Sequence, residues 1–260
     1  MKLSISNIGW DAKQDNEMYA FLKEQGFAGL EIAPTRIFPE NPYEHLDEAK
    51  VFAEMLKNKY DLIISSMQSI WYGKSENIFG SNDERQILID YTKKAAKFAV
   101  ITGCKNLVFG CPKNRNKPEG ADLEIAYDFF KKIADYAKNL GTTIAIEPNP
   151  PIYDTNFLND TLDAFNFARE IPGLAVNIDI GTIIHNSEDL QMISDNFDLV
   201  NHVHISEPYL AEIKERDLHK ELQQILKAGN YQKYVSIEMK NPGNLDLIKQ
   251  TVDYVRRVFG

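Results

Sequence analysis

Four short stretches of this 260-residue chain end on residues that ligate metals or move protons. They are Glu147 in IAIEPNP, Asp179 in VNIDIG, His204 in HVHISEP and Glu238 in VSIEMK. Each follows an apolar run and precedes a turn-like segment. A single acidic residue closing a strand is ordinarily a helix cap or a solvated loop residue. Four in succession, all of metal-ligating type, form a pattern. Three carboxylates crowded together would repel one another and be costly to desolvate. A divalent cation offsets that cost. Three oxygen donors and one nitrogen suit a fairly hard ion, Mn²⁺ or Mg²⁺, and Zn²⁺, Co²⁺ and Fe²⁺ are also compatible. Such a centre supports Lewis-acid polarisation of a carbonyl, with a base beside it to take a proton from the adjacent carbon.

The elements that must position these residues are legible as eight β-branched runs: LSISNIGW, GLEIAP, LIISSMQ, NLVFGC, TIAIEPN, LAVNIDI, VNHVHIS and YVSIEMK. Their length and richness in Ile, Val and Leu predict strands buried on both faces. Longer amphipathic stretches separate them. DERQILIDYTKKAAKFAVITGC carries apolar residues at spacings of three and four, and LEIAYDFFKKIADYAKNLG ends on Gly141, a helix stop. NEMYAFLKEQGF, LDAFNFAREIPG, EDLQMISDNF, DLHKELQQILKAG and LDLIKQTVDYVRRVFG follow the same plan. Parallel strands need crossover helices, and eight such units close into an α/β fold of the (β/α)8 type. A doubly wound open sheet is the competing architecture, but no Gly-rich dinucleotide fingerprint follows the first strand. No linker or low-complexity segment interrupts the chain, so residues 1–260 are expected to form one barrel domain. In a barrel, active sites gather where strands end, which is where the four residues fall.

Composition narrows the partners. The net charge of −9 argues against a general nucleic-acid binder, and no apolar run approaches the roughly 18 residues of a membrane span. The N-terminus MKLSISNIGWD lacks the apolar core of a signal peptide, and the two cysteines, Cys104 and Cys111, read as reduced thiols. A cytoplasmic location is expected.

The ordered pattern IEPNP, NIDIGT, HVHISEP, RDLH and VSIEMK resembles the xylose isomerase-like TIM barrel superfamily, the sugar phosphate isomerase/epimerase group. That group includes ketose epimerases, inosose dehydratases and, more distantly, endonuclease IV-type DNA repair enzymes. The resemblance spans essentially the whole chain. It implies one divalent metal held by Glu147, Asp179, His204 and Glu238, with the two glutamates also removing and returning a proton on opposite faces of a sugar. It also implies a small-molecule carbohydrate substrate and a homo-oligomer. Many relatives have a histidine three positions after the sixth-strand aspartate, where this chain has Thr182. The DNA repair branch has further histidines after the third and fourth strands, where this chain shows Gln68 and Cys111, so a nuclease is not expected.

Other rim residues are candidates for substrate binding: Glu31 and Gln68 at the ends of the second and third strands, Trp71 as an aromatic platform, Asn149, His185, and Lys240 as an anion partner. His219 in RDLH is either a substrate contact or part of a helix start capped by Asp217. Lys113, Arg115 and Lys117 form either an anion site or a solvated loop. His202 is expected behind the barrel wall, opposite His204. The activity expected is isomerisation or epimerisation of a sugar or sugar phosphate. A metal-dependent dehydratase and a non-catalytic sugar-binding barrel are the alternatives.

Overall fold

Each of the eight apolar runs forms a parallel strand in the computed structural model, which describes residues 1–260. The strands are β1 (Lys2–Ser6), β2 (Gly29–Ile32), β3 (Ile63–Met67), β4 (Asn106–Phe109), β5 (Thr143–Ile146), β6 (Leu174–Asp179), β7 (Val200–Ile205) and β8 (Tyr234–Ile237). They pair in sequence order, and β8 returns to β1 to close the barrel. The helices are α1 (Asp15–Glu24), α2 (Pro34–Ile37), α3 (Leu46–Tyr60), α4 (Asn82–Ile101), α5 (Glu124–Asn139), α6 (Thr161–Arg169), α7 (Ile180–Asn186), α8 (Gln191–Asp195), α9 (Asp217–Ala228) and α10 (Leu245–Phe259). Local chemistry sets their ends. Ser81 and Glu84 exchange bonds to each other's backbone N–H groups at the start of α4, and Gly141 at φ +80° follows α5. No helix is long and apolar enough to cross a membrane.

The two faces of the strands differ in kind. Ile5, Leu30, Leu107, Ile144, Val176, Val203 and Val235 belong to one large apolar core shared with helix residues such as Leu88, Phe130 and Val252. Burial of each such side chain contributes about 1.5–3 kcal/mol. The barrel interior is polar instead. Ser4 and Ser65 hydroxyls meet at 2.6 Å, Asn106 donates to Ser66 at 2.9 Å, and Gln68 donates to Ser6 at 2.7 Å. Gly29 lies among them because a Cβ there would come within 2.7 Å of the Ser65 Cβ. The sequence expectation of strands apolar on both faces therefore holds for the outer face only. Both cysteines are free.

Candidate active site

Parallel register sets Asp179 of β6 beside His204 of β7, and His204 beside Ser236 of β8. Glu147 and Glu238 stand one residue past β5 and β8. All four are buried, from fully for His204 to 8% exposed for Glu147. One donor atom from each lies within 4.8 Å of every other. His204 Nδ1 is 2.8 Å from Glu147 Oε1 and 3.1 Å from Glu238 Oε2.

Neighbours fix each of these side chains. Asn177, two residues before Asp179 and so on the same face, donates to Glu147 Oε1 at 2.7 Å, and its amide nitrogen lies 3.2 Å from His204 Nδ1. Asp179 Oδ2 accepts from both the N–H and the hydroxyl of Thr182 at 2.8 Å, and Oδ1 accepts from Ser206. Thr182 thus orients the aspartate. Arg115 is fully buried; it donates to the Glu147 carbonyl at 3.0 Å and to Asn149 Oδ1 at 2.8 Å.

Burial pushes the Glu147, Asp179 and Glu238 carboxyls above their ordinary range. Burial alone would lower the His204 pKa, but Glu238, Glu31 and Glu147 outweigh it and hold it well above the usual value. The site thus gathers more negative charge than one imidazole can balance, with donor atoms close enough to share a single ion. That donor set fits one divalent cation.

A cavity of about 180 Å³ opens onto the cluster, walled by Gln68, Gly110, Asn149, Tyr153 and Leu210 together with Glu147, Asp179 and Glu238. No Lys or Arg lines it. A larger groove of about 970 Å³ runs outside the barrel along α5 and α6. It holds no cluster of metal-ligating side chains, whereas the smaller cavity does.

A family model described as xylose isomerase-like TIM barrel matches residues 19–258. The chain belongs to this family. Among curated proteins, 3-dehydro-D-guloside 4-epimerase of Escherichia coli (strain K12) is 25% identical over 249 residues, covering 92% of this chain and 92% of the relative. Among solved structures, 3-keto-D-glucoside 4-epimerase from E. coli superposes with a TM-score of 0.79 at 20% identity, covering 99% of each chain. D-psicose 3-epimerase from Clostridium cellulolyticum H10 gives a TM-score of 0.79 at 15% identity, covering 100% of this chain and 99% of the other.

Within this family barrel, the other sequence candidates divide. Gln68 and Asn149 line the cavity. Glu31 does not: it is fully buried, with Oε2 at 3.0 Å from both His202 Nε2 and His204 Nε2. His202 therefore faces the lumen, contrary to expectation, because residues two apart on a strand share a face. Trp71 is not a platform either. It donates to Thr92 at 2.8 Å and packs edge-on against Phe109 and Phe129 in the core. We expect Trp71→Ala to cost about 3–5 kcal/mol, read as a fall in urea midpoint. A substrate platform would instead change KM at unchanged stability.

His185 sits on the exposed last turn of α7 rather than in a loop, away from the cavity lining. His219 is buried against α10, with Nδ1 at 2.8 Å from the Tyr254 hydroxyl, and burial pulls its pKa down to about 4. Asp217 is the first residue of α9 rather than its cap and pairs with Lys220. Lys240 is exposed and meets the rim only through its backbone N–H, which donates to Leu210. Arg115 belongs to neither an anion site nor a solvated loop. Its inward turn, like the role of Asn177, is absent from the sequence reading, although strand parity alone would have found Asn177.

Gly110 carries a further prediction. A Cβ there would lie 2.7 Å from Glu147 Oε2. Gly110→Ala should displace that carboxylate and lower kcat by roughly 100-fold, the scale set by an ångström of misplacement. Steady-state kinetics alongside a thermal melt would separate this from unfolding.

Proposed function

We propose that the protein is a divalent-metal-dependent epimerase or isomerase of an unphosphorylated sugar, which moves a proton on the carbon beside a carbonyl. The observation that carries this reading is the cluster of Glu147, Asp179, His204 and Glu238 at the floor of a cavity without any cationic lining residue. A phosphorylated sugar would bring its charge into a site already rich in carboxylates, and none of the residues lining the cavity is a Lys or Arg to receive it. The similarity to the E. coli 3-dehydro-D-guloside 4-epimerase supports an epimerase.

Glu147, Asp179, His204 and Glu238 would hold the ion. When bound, the ion supplies Lewis acidity toward the carbonyl and neighbouring hydroxyl of the substrate. One of the two glutamates, Glu147 or Glu238, takes the proton from carbon, and the C–H electron pair moves onto the carbonyl oxygen. The other glutamate returns a proton, to the opposite face for epimerisation. Asp179, already committed to Thr182 and Ser206, serves as a ligand. Gln68 and Asn149 offer hydrogen bonds to hydroxyls, with Tyr153 and Leu210 lining the same cavity.

The test is solvent deuterium exchange into free and phosphorylated keto-sugars, followed by proton NMR with Mn²⁺ first loaded and then removed by chelator. Metal-dependent loss of one C–H signal, from free sugars only, is the expected result. Loss of water would point to a dehydratase, and binding without exchange to a non-catalytic barrel; either defeats the reading.

A further inference from the structure

Beneath the four ligands lies a second buried group that contacts neither the cavity nor solvent. Glu31 from β2 sits between two imidazoles of β7. Its Oε2 is 3.0 Å from His204 Nε2 and 3.0 Å from His202 Nε2. Its Oε1 has no hydrogen-bond partner. All three side chains are at most 1% exposed. The two rings stand nearly perpendicular, at 88°, with centroids 5.2 Å apart.

Stability does not explain this carboxylate. A buried charge with one oxygen unsatisfied is expensive, and apolar replacement of such networks is often neutral or stabilising. Its position does suggest a role. His204 has Nδ1 among the carboxylates of Glu147 and Glu238, and Nε2 against Glu31. A neutral imidazole carries one proton and one lone pair on opposite nitrogens. With the proton on Nδ1, the Nε2 lone pair would point at the Glu31 carboxylate and no donor would meet it. With the proton on Nε2, it is donated to Glu31, and the Nδ1 lone pair is presented to the ion site. His202 Nε2 stands 3.0 Å from the same oxygen on the other side without making a hydrogen bond to it.

We propose that Glu31 is a positioning residue that selects the Nε2–H form of His204 and thereby sets the affinity of the centre for its divalent ion. The proposal rests on the metal-centre reading above and goes beyond it, because Glu31 touches neither ion nor substrate. Outer partners of ligating histidines commonly change metal affinity by roughly 10–100-fold when removed.

The test uses Glu31→Gln, which keeps the volume and one acceptor, and Glu31→Leu, which keeps neither charge nor acceptor. Mn²⁺ affinity is measured by chelator competition, and metal-free melting is followed in parallel. We expect affinity to fall by roughly 10-fold for Gln and 100-fold for Leu, with metal-free melting of the Gln variant close to wild type. On the wild-type protein loaded with Zn²⁺, long-range ¹⁵N–¹H correlation should show His204 protonated at Nε2 and metal-bound at Nδ1; this readout does not depend on a variant folding. Unchanged affinity in the Gln variant, or a proton on Nδ1, overturns the proposal while leaving the metal centre standing. Failure of the wild-type protein to bind Mn²⁺ or Zn²⁺ overturns the metal centre and this proposal with it.

Discussion

Glu147→Gln and Glu238→Gln should each lower kcat by about 10²–10⁴-fold, the usual contribution of a positioned acid or base. Glutamine preserves the shape and one oxygen but cannot hold a proton in transit. The two variants should also differ in kind. If Glu147 and Glu238 serve opposite faces of the substrate, one variant will still exchange the C–H of one epimer with solvent and fail on the other. Measuring isotope exchange separately on each epimer, with metal content quantified in both proteins, tests this. Full turnover in either variant at full metal occupancy would falsify the assignment. So would equal loss caused only by loss of the ion, because then neither glutamate has a proton-transfer role of its own.

The second large effect is the response to metal removal, and its pH dependence has a definite sign. Glu147, Asp179, Glu238 and His204 all have folded pKa values above their ordinary values of 4.5, 3.8, 4.5 and 6.5. The metal-free folded protein therefore binds protons more readily than the unfolded chain. The associated stability is present below the ordinary values and is lost as pH rises through the raised ones. Glu31, held below its ordinary range by His204 and His202 against the effect of burial, acts only at more acid pH. His202 and His219, both held below their ordinary 6.5 by burial, act in the opposite sense up to about that pH; above it metal-free Tm should thus fall as pH rises toward about 8. If the proposed centre binds its ion, the ion would displace these protons and take over the charge balance. At a hundredfold excess over Kd it should add about 2.7 kcal/mol, or roughly 5–10 °C in Tm. This increment should grow toward the alkaline end. Calorimetry across that range with and without Mn²⁺ measures it, and an increment that shrinks as pH rises contradicts the charge balance described here.

What could be read in advance follows from how local the signal is. Strand number and order are written in runs of Ile, Val and Leu that need no knowledge of distant residues, so the closed barrel was within reach. No helical stretch was read between β2 and β3, yet α3 forms there. The four clustered side chains were legible because each closes an apolar run, and a shared barrel rim converts that position into proximity. Loop side chains were not. Trp71 follows β3 closely, yet it turns into the core because Thr92 offers its indole a partner there. Arg115 lies in a basic stretch that looks solvated, but the chain folds it inward to the Glu147 carbonyl. His219 shows the same limit on a helix: α10 covers it through Tyr254, a residue 35 positions away. Glu31 and His202 were misplaced for a different reason. The strand pattern was read as apolar throughout, and the alternation that puts both inside the lumen was not followed through.

The barrel divides into a greasy jacket, where strands meet helices, and a hydroxyl- and amide-lined socket at its axis. Folding draws mainly on the jacket. The socket is consequently set apart from the packing that holds the scaffold, and a change at Ser6 would reach the cavity through its bond to Gln68 before it disturbed the outer shell.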